Sequence, residues 1–261
     1  MSCRKRSERA NLAARRLASR GCIVPCRPHI LKLTLARQRL TLADPLPPSE
    51  IADAPVDPSR PLLIVDVDEV LAMFMRGFER FLGPHGYEMR ITKFALFQNI
   101  YRLSDGTVLD LDLGREFFNS FFEEAVADIE PVPGASEALQ RLAADASVVI
   151  LTNAPGHGRE PRSRWLARHG FDYPMIINSG PKGPVVAALA ARTRSPVGFV
   201  DDLLMNLESV AVSAPDVRRF QFVADERLRP HAPCDPSRHV RLDDWPAMAE
   251  AIADALGLPP R

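Results

Sequence analysis

One stretch decides the fold of this chain: residues 62–70, with the sequence LLIVDVDEV. Four consecutive apolar residues, Leu62 to Val65, predict a strand that is buried on both faces. Asp66 and Asp68 follow at once, so two carboxylates leave the carboxyl end of that strand two residues apart. Such a pair can supply one nucleophile or metal ligand and one group that transfers a proton. Taken alone, the pair could equally cap the next helix.

Short apolar runs like the first recur along the chain and alternate with helical patterns. The runs cover residues 148–151, 175–177, 197–200 and 220–223. Between and after them, apolar residues at helical spacing lie within residues 134–146, 162–169, 184–189, 203–212 and 246–256. This alternation predicts parallel strands joined by crossover helices. The predicted fold class is therefore α/β, with a doubly wound parallel sheet.

One long segment interrupts the alternation, because about 80 residues separate the first strand from the second. It contains an apolar helical stripe up to Leu82, an extended stretch over residues 94–112 with a turn signal at Asp105–Gly106, and an aromatic stripe over residues 117–122. The stripes favour core packing over substrate contact. An insertion here lies over the carboxyl end of the first strand, where ligands of open α/β sheets bind, so we predict a cap. Its candidate substrate contacts are Arg76, Lys93, Gln98, Tyr101 and Arg102.

Residues 1–60 are predicted to form a disordered leader and linker, because basic residues are followed by a run rich in Pro, Asp and Ser. Residues 1–40 carry eleven Lys or Arg and one acid, a net charge of +10 in a chain whose net charge is zero. Organellar targeting and nucleic-acid contact are the alternatives for this leader. Residues 61–71 and 131–261 are assigned to the α/β core, and residues 72–130 to the cap.

The composition is that of an ordinary globular protein, with 46% hydrophobic and 25% charged residues. No run reaches about 18 consecutive apolar residues, so the sequence predicts no membrane span. We interpret the four cysteines as reduced thiols without a metal-ligand pattern, which favours a cytoplasmic location. They are Cys3, Cys22, Cys26 and Cys234. The pattern does not indicate an oligomeric state.

Two further polar groups stand at a strand end and at a helix start. Thr152 and Asn153 follow the apolar run over residues 148–151. A hydroxyl there can donate to a phosphoryl oxygen, or satisfy its own turn. Lys182 opens a helix, where a cation opposes the helix dipole and so favours an anionic partner. A solvated loop lysine is the alternative.

A second pair of carboxylates, Asp201 and Asp202, ends another apolar strand and is followed by Asn206. Beside the acids of the first strand, these carboxylates would repel one another unless a cation lay between them. A hard, oxygen-preferring ion such as Mg²⁺ meets that requirement. The alternative is a helix cap, which suits Asp202 better than Asp201.

Together these motifs resemble those of the haloacid dehalogenase superfamily of hydrolases. The four motifs stand in that superfamily's order: Asp66-x-Asp68-x-Val70, Thr152-Asn153, Lys182, and Asp201-Asp202-x-x-x-Asn206. The resemblance covers residues 61–223 and implies a five-stranded Rossmann-like sheet with a cap inserted after the first motif. One departure is Glu69, where the superfamily commonly has glycine, and we expect it to crowd the turn. The segment over residues 154–162 is rich in Gly, Pro and Arg, and its role is not indicated.

The resemblance also implies a mechanism in which Asp66 attacks phosphorus and becomes an aspartyl-phosphate. Asp68 is then the implied acid and base, and its presence favours phosphoryl transfer over dehalogenation, since a halide leaving group needs no proton. The implied phosphate-binding residues are Thr152, Asn153 and Lys182. The implied Mg²⁺ ligands are Asp66, the backbone carbonyl of Asp68, and Asp201, with Asp202 and Asn206 in supporting positions.

The predicted function is Mg²⁺-dependent hydrolysis of a small phosphorylated molecule, with neither a membrane nor nucleic acid expected as a partner. Two alternatives stay open. A phosphotransferase or mutase of the same superfamily would pass the phosphoryl group to an acceptor other than water. A non-catalytic binding protein would keep the fold and contact nucleic acid through the basic leader, although the intact carboxylates favour an enzyme.

Overall fold

The structure, a computed structural model, describes residues 49–259, so the hypotheses on the basic leader lie outside the described residues. The strands are β1 (Leu62–Val65), β2 (Tyr87–Met89), β3 (Ile100–Arg102), β4 (Ser147–Asn153), β5 (Met175–Asn178), β6 (Val197–Asp201), β7 (Arg218–Gln221) and β8 (Val240–Arg241). The α-helices are α1 (Ser49–Asp53), α2 (Phe74–Leu82), α3 (Leu111–Glu124), α4 (Ala135–Ala143), α5 (Arg159–Arg168), α6 (Gly183–Ala190), α7 (Leu204–Ser213) and α8 (Trp245–Leu256).

The large sheet has the strand order β5-β4-β1-β6-β7-β8, and every neighbouring pair is parallel. Val65 at the end of β1 pairs with Ile150 of β4 on one side and with Val200 of β6 on the other. The predicted α/β class with a parallel, doubly wound sheet is confirmed. The resemblance implied five strands, and the sixth is the two-residue β8 at the edge. The strand expected over residues 220–223 begins two residues earlier.

Helices cover both faces of this sheet, and the side chains of β1 point alternately into the two cores that they enclose. Leu63 and Val65 pack in one buried cluster with residues of α4, α5 and α8. Leu62 and Ile64 pack in the other, with residues of α1, α6 and α7. All four are fully buried, so β1 is the central strand of the core, as its unbroken apolar run indicated.

The end of the predicted leader and linker needs correction, because the chain already packs on the core before residue 60. Ile51 of α1 is buried, and Ala54 and Val56 follow it into the same cluster as β1. Arg60 donates hydrogen bonds to the carbonyls of residues 143 and 146. Residues 49–60 therefore pack against the core, because a few apolar side chains in this otherwise polar run are buried there.

Residues 72–130 contain α2, the antiparallel β2–β3 hairpin and α3. The two ends of this insertion are adjacent, since the N–H of Met73 donates to the carbonyl of Glu130 at 2.9 Å. The rings of Phe78, Phe121 and Phe122 are fully buried, which agrees with the core interpretation of the aromatic stripes. A cap insertion after the first strand is thus present, as the fold class predicted.

Cys234 is disulfide-bonded, which corrects the expectation of reduced thiols. Disulfides are rare in reducing compartments, so this bond does not support the predicted cytoplasmic location, which stays a prediction. Over residues 49–259, none of the helices combines the length and the apolar character that crossing a membrane requires.

Candidate active site

The ammonium group of Lys182 lies at the centre of the candidate site. Its Nζ is 2.6 Å from Oδ1 of Asp66 and 2.7 Å from Oδ2 of Asp201, and all three side chains are almost fully buried. Asp66 follows β1, Asp201 ends β6, and Lys182 is the N-cap residue of α6. The two strand ends therefore converge, as the repeated strand-then-acid pattern indicated, and a lysine supplies the first of the positive charges that they require.

A third carboxylate joins this cluster. Oxygens of Asp66, Asp201 and Asp202 all lie within 4.8 Å of one another. Asn206 donates its amide N–H to both oxygens of Asp201, at 3.0 and 3.2 Å, and the backbone N–H of Leu203 donates to one of them. With all groups ionised, three carboxylates against one ammonium leave a net charge of −2.

This donor set fits a hard divalent cation such as Mg²⁺, which prefers carboxylate oxygens. The sequence had placed Asp202 only in a supporting position, but its carboxylate lies with those of Asp66 and Asp201. The side chain of Asp68 instead points to another partner, so only its backbone carbonyl remains a candidate ligand.

Burial and mutual repulsion hold the proton affinities of these groups far from their usual values. Burial raises the pKa of Asp66 to about 7, and the charges of Asp201 and Asp68 add to that effect against the attraction of Lys182. Burial and the neighbouring carboxylates also raise the pKa of Asp202 well above its usual range. Burial alone would lower the pKa of Lys182, but Asp201 and Asp66 outweigh it and raise that pKa. A second cation at this cluster would favour the ionised carboxylates.

Asp68 forms an ion pair with Arg162, which the sequence analysis had left without a role. Nη2 of Arg162 lies 2.6 Å from Oδ1 of Asp68, and the arginine side chain is fully buried. Burial raises the pKa of Asp68, although the charge of Arg162 opposes the shift. An acid that keeps its proton at higher pH is suited to donate it.

The two residues at the end of β4 differ in their hydrogen bonds. The hydroxyl of Thr152 is fully buried and has no partner among the described residues. Asn153 donates to the carbonyl of Gly180 at 3.0 Å and accepts a hydrogen bond from Asn178. A buried hydroxyl without a partner is costly.

Glu69 does not merely crowd the turn after β1. Its backbone has a φ of 59°, in the left-handed region where glycine is usual, which explains the superfamily's preference at this position. Its carboxylate accepts one hydrogen bond from the N–H of Met75 in α2, at 2.8 Å, and another from the N–H of Asp225 after β7, at 2.7 Å. Glu69 therefore ties the cap insertion to the core. Burial raises its pKa to about 7 despite these two hydrogen bonds.

A cavity of about 190 Å³ opens above the carboxylates. Its polar lining residues are Asp66, Asp68, Glu69, Asn153, Lys182, Asp202 and Asn206. Asp201 and Thr152 do not line it and lie buried behind it. Most of the predicted site residues thus line one cavity, and Asp201 and Thr152 lie buried behind that lining.

The candidate substrate contacts that the sequence suggested in the cap do not line this cavity. Arg76 forms an ion pair with Glu226, and Arg102 forms one with Asp105. The hypothesis was wrong because it selected polar residues, whereas the cap turns apolar side chains toward the cavity.

We expect Asp202→Asn to stabilise the metal-free protein at pH 8. Because the pKa of Asp202 is raised by folding, the folded protein keeps a proton that the unfolded chain releases near pH 4. Protonated Asp202 is compatible with the folded state at low pH, and this contribution to the free energy of unfolding is lost as the pH rises and the carboxyl ionises. An amide does not titrate, so it removes this pH dependence of stability. The expected gain is on the order of 1 kcal/mol, the equivalent of roughly one pKa unit. Urea unfolding in EDTA at pH 5 and pH 8 measures it, and the gain should be larger at pH 8.

The matched control for this prediction is Asp216→Asn, since Asp216 is an exposed aspartate in the loop between α7 and β7, outside the cluster. Its free energy of unfolding should change little at either pH. A loss of stability in Asp202→Asn at pH 8 would contradict the repulsion argument.

No protein-family model matches this chain, and no curated protein matches it. Solved structures do match it. YfnB from Bacillus subtilis, named as a HAD-hydrolase and bound to magnesium, is 13% identical, with a TM-score of 0.52 over 77% of this chain and 100% of that one. A haloacid dehalogenase-like hydrolase from Streptococcus pneumoniae is 12% identical, with a TM-score of 0.51 over 74% of this chain and 98% of that one. This chain therefore has the haloacid dehalogenase-like fold, with Asp66, Thr152, Lys182 and Asp201 gathered at the carboxyl edge of its sheet.

Proposed function

We propose that this protein is a Mg²⁺-dependent phosphohydrolase that cleaves a phosphomonoester through an aspartyl-phosphate on Asp66. The observation that carries the proposal is the buried bridge from Lys182 to both Asp66 and Asp201. A buried lysine held between two carboxylates at the edge of the sheet indicates a site that binds further charged groups. A phosphoryl group with a divalent cation provides charges of both signs.

In the first half of the proposed reaction, a carboxylate oxygen of Asp66 attacks phosphorus and the ester P–O bond breaks. The leaving alkoxide takes a proton from Asp68, so that an alcohol departs. Lys182 stays beside Asp66 and offsets negative charge on the phosphoryl oxygens. Thr152 is assigned as a hydrogen-bond donor to one of those oxygens on the resemblance alone, and its buried hydroxyl would have to become accessible from the cavity to fill that role.

In the second half, Asp68 accepts a proton from water, and the oxygen of that water attacks phosphorus. The bond between phosphorus and Asp66 breaks, inorganic phosphate leaves and the Asp66 carboxylate is restored. Asp66, Asp201, Asp202 and the backbone carbonyl of Asp68 are the residues assigned to hold Mg²⁺. When bound, the ion supplies positive charge that stabilises the transferring phosphoryl group.

The decisive experiment measures phosphate release from a broad set of monoesters, with Mg²⁺ and with EDTA. We expect turnover with Mg²⁺ only, and we expect Asp66→Asn to abolish it, because an amide cannot form the covalent intermediate. Asp216→Asn, which changes an aspartate outside the site, should keep wild-type turnover. Folding of each variant is checked by circular dichroism. Absence of turnover over the whole set by folded wild-type protein would overturn the proposal, and phosphate appearing only on an added alcohol would instead favour the phosphotransferase alternative.

Asp68→Asn tests the acid role separately, because substrates differ in how much their leaving group needs a proton. For an alkyl phosphate we expect kcat to fall by about 10²- to 10⁴-fold, the usual contribution of general acid catalysis. For acetyl phosphate, whose carboxylate leaves without a proton, formation of the intermediate should be affected far less. Single-turnover phosphorylation of Asp66 by each substrate gives this comparison. Equal losses for both substrates would mean that Asp68 has another role.

A further inference from the structure

The walls of the cavity above the carboxylates are apolar. They are formed by Phe74, Met75, Phe94, Ala95, Leu96, Phe118, Leu203 and Leu228. The first six belong to the cap insertion, and the last two belong to the core. Every polar residue that lines the cavity belongs to the site described above. Within residues 49–259, the side of the cavity that faces the leaving group therefore has neither a cation nor a polar side chain of its own.

The polar residues at the base of the cavity already have partners. Asn153 contacts Gly180 and Asn178, Asn206 holds Asp201, and Glu69 accepts two backbone N–H groups. A substrate with several hydroxyls would lose its water contacts on entry and find few replacements, which is costly. A second anionic group on the substrate would meet carboxylates, which disfavour it further.

The size of the cavity favours a small leaving group, because the phosphoryl group and the leaving group share it. Its volume is about 190 Å³, and an apolar protein cavity of about 150 Å³ accommodates a benzene molecule. Aromatic rings of Phe74, Phe94 and Phe118 also suit a flat or ring-shaped apolar group. We infer that the substrate is a phosphomonoester of a small apolar alcohol, about the size of one ring. This inference rests on the phosphohydrolase function proposed above and names its substrate class.

Two substrates of matched shape test the substrate class: cyclohexylmethyl phosphate and glucose 6-phosphate. Both are esters of a primary alcohol attached to a six-membered ring, and they differ in the ring hydroxyls and the ring oxygen. We expect kcat/KM for the cyclohexylmethyl ester to be at least about a hundredfold higher, because several hydroxyls would be buried without partners. An equal or higher value for glucose 6-phosphate would overturn the substrate class while leaving the phosphohydrolase intact. If neither ester nor acetyl phosphate is hydrolysed, the proposed function itself fails.

A matched pair of variants then locates the preference in the cavity wall. Leu96→Gln places a polar group in the lining, and we expect it to reduce the preference for the apolar ester by about tenfold. Leu103→Gln makes the same change at a leucine of the same insertion that is 55% exposed and outside the cavity. Its preference should equal that of the wild type. An unchanged preference in Leu96→Gln, or equal changes in both variants, would overturn the assignment to the wall.

Arg162 carries a second inference that does not depend on the cavity wall. Its side chain is fully buried, and its Nη2 donates a hydrogen bond to Asp68. Among the described residues, Nε and Nη1 of Arg162 have no hydrogen-bond partner. The guanidinium carbon lies 5.1 Å from the ring centre of Phe122 and 5.9 Å from that of Trp165. Two unsatisfied donors in a buried arginine are costly, so a purely structural purpose explains this arrangement poorly.

The geometry points to Arg162 as a positioning residue for Asp68. The two aromatic rings hold the guanidinium in place, and its one hydrogen bond then restricts the rotation of the Asp68 carboxyl at the cavity edge. A general acid must lie within hydrogen-bond reach of the leaving oxygen, so a loss of this restraint reduces the rate without removing the acid. Arg162 itself does not line the cavity and is not assigned any contact with the substrate.

A double-mutant cycle tests this role with Arg162→Met, Asp68→Asn and the combined variant. We expect Arg162→Met to lower kcat for an alkyl phosphate by about tenfold or more, with little change in KM and little change in phosphorylation by acetyl phosphate. In the combined variant, the loss should be no greater than in Asp68→Asn alone, because both changes remove one function.

Arg162→Lys provides the conservative variant, and it should recover part of the rate because an ammonium group can still bond to Asp68. It also serves if Arg162→Met does not fold. Additive losses in the cycle, or an equal loss with acetyl phosphate, would overturn the positioning role. The same holds if Arg162→Lys folds and turns over the alkyl ester no better than Asp68→Asn.

Discussion

Three carboxylates share one buried space with a single ammonium group, and the rest of the structure depends on keeping them there. Asp66 and Asp201 come from neighbouring strands, and Lys182 comes from the start of α6. That start must lie close to α7, and Gly183 allows it: a Cβ atom at this position would lie 2.3 Å from the carbonyl oxygen of Ser209. Because buried like charges repel strongly, the site is held by the packing around it rather than by its own attraction.

The cap insertion and the core contribute different parts of the proposed chemistry. The core supplies the carboxylates and the buried hydroxyl of Thr152, placed by strand ends, and the lysine, placed by the start of α6. The cap supplies most of the apolar wall that surrounds the leaving group. Glu69 connects the cap to the core, since its carboxylate accepts hydrogen bonds from one backbone N–H group of α2 and one of the loop after β7. In the proposed reaction, the core would bind the phosphoryl group and the cap would select the leaving group.

Much of the fold could be predicted from local patterns. The run from Leu62 to Val65 is the observed first strand, residue for residue, because a short apolar run before two acids has few other uses. The strand predicted over residues 220–223 lies two residues earlier in the structure. The prediction followed the apolar residues to Val223, but β7 ends at Gln221. The substrate contacts failed for a different reason. Exposed arginines of the cap form ion pairs, Arg76 with Glu226 of the core and Arg102 with Asp105 of the cap, and the apolar residues lie inside.

The sequence by itself determined which residues are proposed to carry the chemistry, because acids, a lysine and a threonine at strand ends and a helix start are recognisable without coordinates. Only the tertiary structure decided which partner each one has. Arg162 reaches Asp68 across 94 residues of chain, and Glu69 reaches the N–H of Asp225 across 156. Contacts at such separations depend on how helices and loops pack over the sheet. No local spacing or propensity records that packing.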